Sequence, residues 1–375
     1  MFGFRALNYS LGGGEQEMRL VSLRELAFLS ICVLPFVLFS PMSAAPQADE
    51  DGGLLSSNID FAGSGRVRLV PDNLFAVDFQ DESTGWAGGY YGTILKTEDG
   101  GESWRKIETP YTDLIRRIDF SDELTGFAVT SRGRILKSED GGVSWTVSHT
   151  EAHTNLRDIY CLDARTAWVV GHEGTILYTA DGGDTWVRQS LTDFQGRDLP
   201  RLNGIARFEN GRLILVGEFG VVATSTDNGS HWSVLGGGES SVTYTSVATW
   251  GNHAMAVGLG GALVKVSELP GSALETGEEL SLQIENVNSG TEEHLFDLSL
   301  QPSGDGLVVG QGGVLRLVAG APDSLLAPIE NLPGFRWYGG VSAVDKNGNY
   351  IVVGSSGALL TVESDRLVAH QMVRW

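Results

Sequence analysis

A glycine followed by a short apolar strand recurs seven times along the chain, and no other feature restricts the possible folds so sharply. The strong copies are Gly92-Thr93-Ile94-Leu95, Gly133-Arg134-Ile135-Leu136, Gly174-Thr175-Ile176-Leu177 and Gly220-Val221-Val222. Weaker ones are Gly261-Ala262-Leu263-Val264, Gly313-Val314-Leu315 and Gly357-Ala358-Leu359-Leu360. The anchor glycines lie 41, 41, 46, 41, 52 and 44 residues apart, a period of one supersecondary unit per repeat. Each unit reads as four short strands. In the second these are Arg117-Ile118-Asp119-Phe120, Gly126-Phe127-Ala128-Val129, the Gly-led strand and Trp145-Thr146-Val147, with no helical period between them. A small twisted sheet buries its faces only against its neighbours, so such repeats stack around a ring. The expected fold is all-β: a single seven-bladed β-propeller of four-stranded antiparallel blades, occupying residues 49–375. A parallel β-helix or open solenoid fits less well, because its coils are shorter and lack hairpin turns at fixed offsets. Either residues 66–70 or residues 366–373 could provide the outermost strand that closes the ring.

The turn between third and fourth strands is the sharpest motif. Residues 97–104, 138–145, 179–186 and 225–232 all read Ser/Thr-x-Asp-x-Gly-x-x-Trp, the Asp-box. Asp99, Asp140, Asp181 and Asp227 can accept backbone N–H bonds across the hairpin, Gly supplies a positive φ, and Trp104, Trp145, Trp186 and Trp232 bury a ring between blades. Four copies around a ring cannot converge on one site, so a structural role is expected, with each Trp worth about 3–5 kcal/mol. Blades five to seven lack the box, and residues 268–294 and 319–336 read as long insertions.

Composition removes several classes. Gly 50 of 375 without a Gly-X-Y period, Pro 11 and 42% hydrophobic residues exclude collagen and wholesale disorder. Cys32 lies in an N-terminal apolar run and Cys161 is then unpaired, so no disulfide is expected. A net charge of -21 argues against nucleic acid, which needs clustered positive charge. Residues 26–39 are almost wholly apolar, follow Arg19 and Arg24, and lead into the small-residue segment 41–48, which together read as a secretory signal peptide over residues 1–48. Met18 offers a second start. Ile31 before Cys32 argues against lipidation. An exported, periplasmic monomer without a membrane span after cleavage is the expectation.

Residues 74–81 with Gly85-Trp86-Ala87-Gly88, then residues 92–97 and Asp99-Gly100-Gly101 through Trp104, resemble the photosystem II stability/assembly factor-like family of Asp-box propellers. The match is specific over blades one to three, fair in blade four and rests on spacing in the last three. The resemblance implies a non-enzymatic, cofactor-free scaffold that assists a membrane protein complex or transporter. It also implies a basic face, for which Arg116, Arg117, Arg132, Arg134, Arg157 and Arg165 are a partial counterpart.

Loops joining strands two and three lie on one propeller face at the channel mouth, where function concentrates. They carry Tyr90-Tyr91, Ser131-Arg132, His172-Glu173 and Glu218-Phe219 in blades one to four, but Leu259-Gly260, Gln311-Gly312 and Ser355-Ser356 in blades five to seven. Charge is asymmetric too: residues 105–212 hold 14 Lys+Arg against 16 Asp+Glu, and residues 213–375 hold 6 against 17. The candidate binding surface is therefore Tyr90, Tyr91, Arg116, Arg117, Arg132, Arg157, His172, Glu173, Glu218 and Phe219, residue types that anchor interfaces. The alternative is a glycan-binding or glycan-cleaving propeller with Glu173 and Glu218 as its carboxylate pair at one loop position on adjacent blades. No sialidase arginine triad or Ser-His-Asp arrangement can be picked out. His149-Thr150-Glu151-Ala152-His153 reads as a solvated loop rather than a metal site, and Asn228-Gly229-Ser230 occupies an Asp-box turn.

Overall fold

The computed structural model describes residues 72–238, 240–268, 282–317, 327–329, 337–363 and 366–368. The signal segment and residues 66–70 lie outside these. The described chain forms seven four-stranded antiparallel sheets, each with its strands in sequence order from the channel outwards. Blade one comprises Leu74–Phe79, Gly85–Gly89, Ile94–Thr97 and Arg105–Ile107. The inner strands of the other six are Ile115–Phe120, Leu156–Cys161, Leu202–Arg207, Tyr244–Trp250, Leu295–Leu300 and Tyr338–Ala343. The expected seven-bladed propeller is what the chain builds.

The sequence marks each blade because its turns tolerate little else. Gly133 has φ +81°, and a Cβ there would sit 1.9 Å from the Glu151 carbonyl oxygen, a left-handed conformation in a space that only glycine fits. In blades five to seven the outer strand hides where the repeat fades. Leu282–Asn286 and Ala327–Pro328 are the fourth strands of blades five and six, so the segments read as insertions carry blade structure. His149 and Thr150 likewise end the strand Thr146–Thr150 rather than lying in a loop. Of the two candidate closing strands, Arg366–Val368 forms the outer strand of blade seven.

Among the described residues the core is seven clusters rather than one, each lying between two neighbouring blades. One joins Leu74, Val77 and Leu95 of blade one to Ile351, Val353 and Leu359 of blade seven, closing the ring. The Ser356 amide also donates to Asn73 Oδ1 at 2.7 Å across this seam. Each Asp-box Trp packs on the preceding blade: Trp145 against Trp86 and Ile94, Trp232 against Trp168 and Ile176. A second set of aromatics answers from the other side. Trp86 donates its indole N–H to the Gly141 carbonyl at 3.1 Å, and Trp168 to the Asn228 carbonyl at 3.1 Å, so each ring staples its blade to the next blade's turn.

Candidate functional site

Each inner strand carries a register shift at its second residue, the place where one strand gains a residue that its partner does not match. A bulge of this kind re-aims a side chain. Here seven of them do so around one axis. Phe75, Arg116, Arg157, Asn203, Thr245, Phe296 and Gly339 all line a half-open cavity of about 400 Å3 at the channel mouth, together with Arg117, Gln311 and Trp337. Phe296, Trp337 and Phe75 form an aromatic wall, with ring centroids 6.5 and 5.0 Å apart. Arg116 and Arg157 form a cationic one.

Arg117 makes the floor. Its Nε donates to Asp158 Oδ1 at 2.8 Å, and its Nη1 and Nη2 donate to the two Asp297 oxygens at 2.8 and 3.0 Å, so blades two, three and six are tied across the axis. Burial alone would depress the guanidinium, but Asp297 and Asp158 more than offset it and raise its pKa. Each carboxylate also clamps the following blade: Asp158 accepts the Ile205 N–H at 2.9 Å, and Asp297 accepts the Val341 N–H at 3.1 Å. Arg116 and Arg157 have no such partners. Burial holds Arg116 below the usual arginine value, and burial with Arg116, Arg201 and Arg117 nearby pushes Arg157 down to about 10.

Around this cavity, the turns between strands two and three place Tyr91, Glu173, Phe219 and Ser356 in left-handed conformations, with φ between +54° and +58°. Tyr90 and Tyr91 are exposed, and Tyr90 sits edge-on to Phe75, 5.2 Å between centroids, which joins it to the cavity wall. His172 is half-buried, and burial with Arg157 and Arg201 beside it lowers its pKa, so the ring is neutral at pH 7. Phe219 is half-buried rather than presented. Arg132 stands largely in solvent, 3.7 Å from Asp113, which also binds Arg134. Arg165 lies in the turn between the first two strands of blade three, hence at the other end of the blade, and does not join a basic face with the rest. Glu173 and Glu218 are not register mates. Glu218 corresponds to His172 and is turned onto Arg201, accepting its N–H at 3.0 Å, whereas Glu173 corresponds to Phe219 and is exposed.

The Asp-box carboxylates spend their bonds locally. Asp140 accepts from Ser138 Oγ at 2.8 Å, Ser144 N at 2.8 Å and Ser144 Oγ at 2.6 Å, and the hydroxyl and N–H of Thr185 hold Asp181 down to about 2. Among the described residues, no group of three or more His, Cys, Asp or Glu could hold a metal ion. Glu151 lies 3.4 Å from His149 and 3.0 Å from Arg188.

Deeper in the channel, Asp78 accepts the Phe120 N–H at 3.0 Å and Asp119 accepts the Cys161 N–H at 2.5 Å. Burial pushes Asp78 up to about 6, and burial with the Asp78 charge pushes Asp119 up to about 8. A carboxyl whose folded pKa is raised binds its proton more tightly when folded, so its contribution is complete below about pH 4 and is lost as pH rises through 6 to 8. Asp119→Asn keeps the acceptor and cannot ionise. It is expected to raise Tm by about 2–4 °C at alkaline pH and to flatten the decline of Tm between pH 5 and 9. An unchanged slope in a pH series of thermal melts would refute this.

The lining residues that sequence reading missed are Phe75, Asn203, Thr245, Phe296, Gln311, Trp337 and Gly339. Aligning the seven inner strands on their first apolar residue puts all but Gln311 and Trp337 in one column, and that column is the signal.

A family model for the photosynthesis system II assembly factor YCF48 matches residues 145–240, the outer strand of blade two through blade four. The chain is similar to the YCF48 family. Among solved structures, YCF48 from Cyanidioschyzon merolae matches at 18% identity and TM-score 0.60, over 80% of this chain and 98% of that one. YCF48 bound to D1 peptide matches at 17% identity and TM-score 0.58, over 79% and 94%. An ancestral GH74 enzyme matches at 12% identity and TM-score 0.59, over 80% of this chain and 46% of that one. At such identities the likeness to YCF48 structures is one of fold. No curated protein matches the chain.

Proposed function

We propose that this protein is an exported, periplasmic, non-enzymatic scaffold that works as a monomer. It docks a segment of a membrane protein complex or transporter on the rim of blades one to four and assists its assembly or activity. The observation that carries the reading is the positively charged channel mouth, with Tyr90, Tyr91 and Arg132 exposed beside it, on a chain of net charge -21. Aromatic and arginine anchors beside a pocket are what interface hot spots require. The YCF48 structure with a bound D1 peptide gives a precedent for a peptide on this type of fold. Among the described residues, no helix is long and apolar enough to cross a membrane.

Affinity purification from envelope extract tests the proposal, using wild type beside a Tyr91→Ala, Arg132→Ala, Phe219→Ala triple variant. Wild type is expected to recover a membrane protein that the variant loses by about tenfold or more, an effect of about 1.4 kcal/mol or more carried chiefly by the exposed Tyr91 and Arg132. Equal recovery by both proteins moves the site off this rim. Turnover of a glycan panel, abolished by Glu173→Gln or Glu218→Gln, would replace the scaffold with the hydrolase.

A further inference from the structure

The cavity itself carries a second, independent reading, because its charges do not balance. The floor is internally paired, with one guanidinium, Arg117, between two carboxylates, Asp158 and Asp297. That group holds one surplus negative charge, and Arg116 and Arg157 on the wall add two positive ones. Arg201 and Glu218 cancel each other at 3.4 Å, and His172 is neutral. The mouth is left with a single positive charge that no described side chain neutralises. Arg116 stacks over Phe75 with its guanidinium carbon 5.7 Å from the ring centre, and its buried Nε has no hydrogen-bond partner. The Nε of Arg157 reaches only Asn203 Oδ1, at 3.2 Å.

Two half-buried arginines that share one counter-charge, the surplus of the floor, cost stability that a ligand would recover. Their planar forks match a carboxylate. A cavity of about 400 Å3 lies in the size range of small-molecule sites, and the wall facing the arginines is Phe296 and Trp337. The single surplus charge selects a monoanion over a phosphate dianion, and the -21 of the chain repels polyanions.

We propose that the channel mouth binds a monocarboxylate carried on an apolar, preferably aromatic, body. Arg116 and Arg157 grip the carboxylate, and Phe296 and Trp337 pack against the body. Two sources share this chemistry: the free C-terminus of a polypeptide ending in an apolar residue, and a free aromatic acid. The site depends on the bulged wall of the channel and not on the exposed rim turns.

Calorimetric titration of the full chain tests this with four probes: 3-phenylpropionate, 3-phenylpropionamide, N-acetyl-Ala-Ala-Phe as the free acid, and its C-terminal amide. The acids are expected to bind about tenfold or more tightly than the amides, because charge-assisted hydrogen bonds are lost with the charge. Arg116→Gln and Arg157→Gln should each weaken acid binding about tenfold or more, with Arg165→Gln, at the other end of blade three, unchanged. Should either glutamine variant fail to fold, Arg116→Lys and Arg157→Lys keep the charge without the fork and should weaken it too. Tighter binding of the tripeptide acid identifies a chain terminus as the source, and tighter binding of 3-phenylpropionate a free acid. Equal affinity for acid and amide, wild-type affinity in the arginine variants, displacement by inorganic phosphate at lower concentration, or no heat from any probe at millimolar concentration overturns the proposal. None of these results bears on whether a membrane protein is recovered through Tyr91, Arg132 and Phe219.

Discussion

Arg117→Ala is expected to destabilise the propeller by about 3–5 kcal/mol, the usual cost of removing one partner from a buried ion pair. The side chain occupies the middle of the ring, and its loss leaves Asp158 and Asp297 facing each other across the channel, 7% and 2% exposed, with no cation between them. Both carboxylates also hold the following blade through its inner-strand N–H, so repulsion there strains two further interfaces. Equilibrium chemical unfolding gives the number. Adding Asp158→Asn and Asp297→Asn should recover more than half of the loss, since the amides keep acceptors for Ile205 and Val341 without the charge. A loss under about 1 kcal/mol for Arg117→Ala alone would show that channel water replaces the guanidinium at little cost.

Trp145→Ala and Trp232→Ala are expected to cost about 3–5 kcal/mol each through the cavity they leave. Trp232 is 1% exposed and Trp145 6%, and both fill the junction with the preceding blade. Trp186 should cost clearly less. It is half-buried, meets Phe127 edge-on, and donates its indole N–H to Ser148 Oγ at 2.9 Å instead of to its own turn. The four Asp-box tryptophans, equal in the sequence, therefore separate in the fold. The check is a set of thermal melts. A Trp186 variant that melts as low as the Trp232 variant contradicts the ordering, and a Trp232 variant with an intact Tm but lost partner binding contradicts the structural role itself.

The blades were legible because their hairpins are local. A left-handed glycine such as Gly133, a Ser/Thr hydroxyl and an Asp carboxylate within eight residues dictate a turn whatever surrounds them. Where those groups disappear, as beyond Glu268, the outer strand Leu282–Asn286 gave no pattern and read as insertion, because only pairing to Leu263–Glu268 defines it. The rim was half legible. Tyr90 and Tyr91 are exposed as expected, but Phe219 is turned in, and Glu173 and Glu218 are one residue out of register, a detail decided by the left-handed residue of each turn. The cavity was not legible. Its walls come one residue at a time from seven distant strands, and those residues, Phe75 through Gly339, share a backbone bulge rather than a side-chain type. In the sequence Arg116, Arg117 and Arg157 look like one basic surface, yet Arg117 faces two carboxylates from blades three and six, a pairing across 180 residues between Arg117 and Asp297 that no local pattern encodes.

Each described blade is built from four consecutive segments, so none borrows a strand from the opposite end of the chain. Six of the seven junctions are crossed by the polypeptide itself. Among the described residues, no strand of one blade pairs into the other at the junction between blades seven and one, which is joined by the Leu74–Val353 cluster and contacts such as Asn73 with Ser356. Under tension applied at Asp72 and Val368, the ends of the described propeller, the ring would therefore part at this seam and peel blade by blade from either side, like a bracelet with one clasp. Cutting the chain between any other two blades and joining the old ends would merely move the clasp.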